Sequence, residues 1–95
     1  MDFSNKNDAN KADVLEKLEI LRAALAGEPE STGRTTALSQ CERLRLAIGQ
    51  FHAEGLRFAA YTLLRMTLPP AAGSPPVHDA AQRLKTALDG AGYPH

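Results

Sequence analysis

The sequence predicts an all-α protein: a three-helix antiparallel bundle of hairpin type, with one long central helix and a shorter helix on each side. Three observations carry that expectation. Apolar residues recur at steps of three and four in three separate stretches. Two segments rich in glycine and proline, GEPESTGR and PPAAGSPP, divide those stretches. No segment alternates with the period of two that a half-buried strand requires. At 95 residues there is room for one domain. Residues 10–90 read as a single helical domain, between a polar, disordered tail over 1–9 and a short C-terminal tail over 91–95.

The first helix is expected over about 11–26. Asn10 is a suitable N-cap with Asp13 three residues on, and Val14, Leu18, Leu21 and Leu25 form one stripe. Asp13–Lys17 and Glu19–Arg22 are helix-spaced ion pairs worth ~0.2–0.5 kcal/mol each. Gly27 and then Pro29 stop the helix in the usual order.

The central helix is expected over about 36–67. Thr36, or Ser39 with Glu42, can open it, and Pro69–Pro70 is the next firm stop. Between them Ala37, Cys41, Leu44, Ile48, Phe51, Gly55, Ala59, Thr62 and Met66 step by threes and fours without interruption. At ~1.5 Å per residue such a helix is ~45 Å long. Gly49 and Gly55 oppose it, each costing ~1 kcal/mol relative to alanine, and a break near Gly55 would give four helices. The apolar phase nevertheless runs through both, and Gly55 falls on the stripe itself, where a missing side chain lets another helix come close. The third helix is expected over about 76–89. Ser74–Pro75 starts it, Val77, Ala81, Leu84 and Leu88 form its stripe, and Gly90 and Gly92 close it.

The second half of the central helix is apolar around most of its circumference, and the two short helices cannot cover all of it. Leu46, Ala53, Ala60 and Leu64 add a back stripe. Two chains are therefore expected to pair through this helix as a two-fold dimer, against a competing reading of a compact monomer that leaves a few leucines exposed. The residues expected at a dimer or partner interface are Leu46, Leu56, Phe58, Ala60, Tyr61, Leu64 and Met66.

Charge cancels overall, with 11 basic and 11 acidic residues, but residues 1–33 are acidic and residues 34–68 basic, which favours packing of one segment on the other. The single cysteine provides no disulfide and suits a reducing compartment. The N-terminus carries no apolar run of the signal-peptide kind. The longest uncharged stretch, Met66 to His78, contains four prolines and a glycine and is no membrane helix. A cytoplasmic location is expected, and the Ala/Arg-rich composition points to a bacterial source.

Chemistry finds little purchase. His52 lies on a helix with neither Glu-x-x-His nor His-x-x-x-His spacing, and Cys41 is three turns away, ~16 Å, too far to share a metal. His52 reads as a boundary residue donating one hydrogen bond, with a pH-sensitive contact to its symmetry mate or to Glu19 as the sharper alternative. Cys41 reads as a small core residue. No glycine-rich phosphate loop precedes a helix. No metal, no cofactor and no enzymatic activity are expected. The leading function is a self-associating helical protein that binds a protein partner as adaptor, regulator or accessory subunit. The alternative is a DNA-binding regulator using Arg43, Gln50 and Arg57, which would share one face of an unbroken helix.

Overall fold

The long central helix does not form. The computed structural model, which describes residues 3–50, 52–71, 73–93 and 95, and side chains from residue 10 onward, holds four helices where three were expected. They are α1 (Phe3–Ala26), α2 (Thr32–Gln50), α3 (Ala53–Thr67) and α4 (Pro75–Ala91). The expected 36–67 helix is split between α2 and α3, and the chain turns back on itself there.

His52 makes the turn. Its backbone is extended, at φ −86° and ψ 96°, so the α2 path cannot continue. Its N–H donates to the Ala47 carbonyl at 3.2 Å, closing the end of α2. Its own carbonyl accepts from the Leu56 N–H at 2.8 Å, opening α3. Its ring Nδ1 accepts from the Gly55 N–H at 3.0 Å, satisfying one of the orphan donors in the first turn of the new helix. His52 is thus the N-cap of α3, and it accepts a hydrogen bond where donation was expected. Glu54, in the first turn, adds a favourable charge at the positive end of the helix. Gly55 serves this cap as well: a Cβ there would lie 2.8 Å from His52 Nδ1. The glycine makes room for an imidazole, not for a neighbouring helix. Phe51, placed on the expected continuous stripe, lies outside the described residues.

Other boundaries also move. The α1 backbone is helical from Phe3, so Asn10 lies inside the helix instead of capping it. Of the expected tail over 1–9, Met1 and Asp2 lie outside the described residues. Ser31, not Thr36 or Ser39, opens α2, its Oγ accepting from the Arg34 N–H at 3.0 Å. The third expected helix, now α4, starts at the Ser74–Pro75 step and ends on Gly92, whose φ of 71° is left-handed and suits glycine.

The helices run up and down. α1 packs on α2 and α4, and α3 packs on α2 and α4, giving a four-helix bundle 46 × 22 × 20 Å. The α1–α2 turn and the α3–α4 linker meet at one end, where the Ser74 N–H donates to Glu28 Oε1 at 3.0 Å. Arg34 reaches back there to donate to the Leu25 and Ala26 carbonyls, both at 3.2 Å, completing the end of α1. Each helix gives one stripe to the core, with leucines such as Leu21, Leu44, Leu63 and Leu84 fully buried. Alanines between them (Ala37, Ala47, Ala59, Ala60, Ala80, Ala81) let the helix axes approach closely. Two polar side chains are buried with them. Thr67 Oγ1 donates to the Leu63 carbonyl at 2.7 Å, whereas Gln40 Oε1 has no partner among the described residues.

The geometry of the turn couples His52 to Gly55. In the wild-type background, Gly55→Ala should gain ~1 kcal/mol of helix propensity and lose about as much through the displaced cap. In a His52→Ala background the same substitution has no ring to displace and should stabilise by ~0.5–1 kcal/mol. Urea unfolding of the four proteins in this double-mutant cycle measures the coupling, and additivity would remove the role assigned to Gly55.

Candidate functional site

Folding back at His52 separates the expected interface residues by burial. Leu56, Ala60 and Leu64 face inward on α3 and are buried in the chain's own core. Met66 is half-buried and lines a cleft of about 510 Å³ at the bundle end, with Leu25, Ala37 and Val77. Leu46 stays exposed on α2. Phe58 and Tyr61 stay exposed on α3, at 63% and 52% of their full accessibility. The back stripe of Leu46, Ala53, Ala60 and Leu64 is divided between two helices. A single chain therefore covers most of its own apolar circumference, because α3 spends most of its apolar side on its own bundle.

A narrow outward face of α3 remains, formed by Glu54, Arg57, Phe58, Tyr61 and Arg65, all exposed. Arg65 Nη1 donates to Tyr61 Oη at 2.7 Å, and its guanidinium carbon lies 5.9 Å from the centre of the Tyr61 ring. This combines a hydrogen bond with a cation–π contact and holds both side chains along the helix. An open groove of about 500 Å³ runs beside Phe58 and Tyr61, with His95 on its other wall. His95 hydrogen-bonds Asp89 near the end of α4, and that bond holds the Asp89 carboxyl below its ordinary range. Glu54, Arg65 and His95 were not among the expected site residues. The first two share the helical spacing of Phe58 and Tyr61, and that spacing was the signal available for them.

The arginine row does not survive the turn as a row. Arg43 and Gln50 are exposed on α2 and Arg57 is exposed on α3, so the seven-residue steps no longer align them on one helix. The neighbouring Arg45 is engaged with Glu42 on its own helix. Glu19 is held below the ordinary carboxylate range, chiefly by its hydrogen bond from Arg22 and further by the Arg22 and Arg45 charges. That is one electrostatic link between α1 and α2.

The bundle-end cleft uses its charged rim for structure. Arg34 is bonded to the α1 carbonyls, and Glu28 takes the Ser74 N–H, whose hydrogen bonding lowers the Glu28 pKa. Among the described residues, no group of three or more His, Cys, Asp or Glu side chains is placed to hold a metal. No described helix is long and apolar enough to cross a membrane. No family model matches the chain, and no curated protein or solved structure matches it either. Fold and surface together define a small four-helix bundle with an aromatic and arginine-bearing face on its third helix.

Cys41 is a core residue, 2% exposed, and burial pushes its thiol pKa up to about 12. Two outcomes follow for the native protein. A thiol reagent at pH 8 should leave Cys41 unmodified until denaturant is added, since the thiolate is the nucleophile. Raising the pH should also lower stability: the unfolded chain releases the thiol proton near pH 9 and the folded chain only near 12, so the unfolded state gains over that window. Chemical denaturation at pH 8 and pH 10, comparing wild type with Cys41→Ala, measures this term. Rapid labelling of the folded protein at pH 8 would contradict the placement.

Proposed function

We propose that this chain is a small non-enzymatic helical protein whose product is a protein-binding surface, acting as an adaptor, regulator or accessory subunit through the outward face of α3. The observation that carries this reading is the exposure of Phe58 and Tyr61 side by side with Arg57 and Arg65. Aromatic residues and arginine are the types enriched at the centres of protein interfaces, where a ring fills a pocket and a guanidinium provides directed hydrogen bonds. From its exposed position Phe58 adds nothing to this core, and its ring is free to meet a partner. The Tyr61–Arg65 contact adds preorganisation, which lowers the entropy lost when a partner arrives.

The reading separates cleanly from folding, because the face and the core occupy different sides of α3. Phe58→Asp should leave the melting temperature within a few degrees of wild type and abolish capture of partners from extracts of the native host. Leu64→Asp should instead unfold the bundle, since Leu64 is 5% exposed and an unpaired carboxylate has no place in that core. Retention of the same captured partners by a folded Phe58→Asp protein would remove the face from the function.

A further inference from the structure

The outward stripe of α3 complements itself. Glu54, Phe58, Tyr61 and Arg65 follow at i, i+4, i+7 and i+11, and at ~100° per residue they fall within ~60° of the helix circumference. In chain order the stripe reads acid, aromatic, aromatic, base. In an antiparallel copy it reads base, aromatic, aromatic, acid. We infer that the occupant of this face is a second copy of the chain, its α3 crossing antiparallel about a two-fold axis between Phe58 and Tyr61. Glu54 of each copy then lies opposite Arg65 of the other, and Phe58 of each packs on Tyr61 of the other. The inference rests on the reading of α3 as a protein-binding face and names what that face receives.

Charge selects this arrangement. The two charged positions are eleven residues apart, ~16 Å along the helix, with both aromatics between them. A parallel copy would set Glu54 against Glu54 and Arg65 against Arg65, whereas the antiparallel copy turns both contacts into opposite-charge pairs. A two-fold interface must use the same patch on both chains, and this stripe meets that requirement, with His95 at its border. Glu54 has no ionic partner among the described residues. Arg65 spends one N–H on Tyr61 and keeps others for a carboxylate, so the hydrogen bond that fixes it within one chain also aims it at the next. Arg57 lies ~70° from the centre of the stripe and stays hydrated at the edge. Four residues from each chain make a contact smaller than the ~1,000 Å² of a stable interface, so the dimer is weak, transient and concentration-dependent.

Reversing charges tests the geometry in a way that loss of a generic sticky patch would not imitate. Sedimentation of the full chain at low salt, up to several hundred micromolar, should show a reversible monomer–dimer equilibrium. Glu54→Arg and Arg65→Glu should each weaken it by about tenfold or more, because each sets like charges across both pairings. An equimolar mixture of these two variants should recover a one-to-one heterodimer at least as tight as the wild-type dimer. Phe58→Ala, at an exposed position, should weaken association with unchanged helicity, which covers the case of a charge variant that fails to fold. A wild-type chain that stays monomeric throughout, a dimer indifferent to both reversals, or a mixture no tighter than its separate components would each overturn the inference. Monomeric wild type with Phe58-dependent capture of a foreign protein would overturn it while leaving the protein-binding reading of α3 in place.

Discussion

The extended backbone at His52, which ends α2 and opens α3 with its imidazole on the Gly55 amide, is the constraint on which the rest of this structure depends. An uninterrupted helix from α2 through α3 would be a long rod with apolar residues on two sides, and no arrangement of two shorter helices could cover both. The turn converts that rod into two helices packed on one another. The six buried positions of α3 then point inward along a single stripe. What was excess circumference becomes core. The cap itself contributes only about 1 kcal/mol. Its importance is topological, because it sets the direction in which Leu56, Leu63 and Leu64 are presented.

Much of this was legible in the sequence. The helical class, the core stripes Val14–Leu25 and Val77–Leu88 and the stop after Ala26 all follow from spacing and from glycine and proline. The turn at His52 was not legible, for a physical reason. Helix starts are recognised by serine, threonine, aspartate and asparagine, and histidine caps too seldom to register as a signal. Moreover, the steps from Ile48 through Phe51 and Gly55 to Ala59 preserve helical phase, so the pattern carries no mark of the interruption. Gly55 did carry information, but its missing side chain faces a ring three residues back, where the periodicity pointed to a second helix. The candidate face suffered in turn: Leu56, Ala60 and Leu64 were assigned outward because no internal neighbour was foreseen for them. Phe58 and Tyr61 are exposed on either reading, since they lie on the side of α3 opposite its core stripe.

Charge does little for the stability of the bundle and more for its surface. The Asp13–Lys17 and Asp79–Arg83 pairs, both 2.8 Å, join residues one turn apart on a single helix and are largely solvated. Such pairs are worth a few tenths of a kcal/mol and are screened by salt. Arg34 on the α1 carbonyls and Glu28 on the Ser74 amide fix one element to another through backbone groups. Both lie at the bundle end remote from His52. The opposite end is held by the His52 turn and by packing, so the two ends are closed by different means. Gln40 is the one core position where packing leaves a polar oxygen without a partner among the described residues, at a cost of ~1–3 kcal/mol.

The two halves of the bundle supply an internal control for the α3 face. Every buried position of α2, from Ala37 to Ile48, recurs 40 residues later in α4, from Val77 to Leu88. The α1 stripe of Val14, Leu18, Leu21 and Leu25 recurs 42 residues later as Leu56, Ala60, Leu63 and Thr67. The chain is thus two helical hairpins whose buried registers match except at Ala59 and Leu64, which correspond to Lys17 and Arg22, and the outward face of α3 has a counterpart on α1. At the same offset, Glu54, Phe58, Tyr61 and Arg65 correspond to Ala12, Glu16, Glu19 and Ala23, and all of these are exposed. A hairpin of this register therefore tolerates small and acidic residues on that face, with no aromatic needed to complete the helix or the core. Phe58 and Tyr61 are additions to a position the architecture leaves free. An exposed aromatic pair that folding does not require, bracketed by opposite charges, is suited to contact with another molecule.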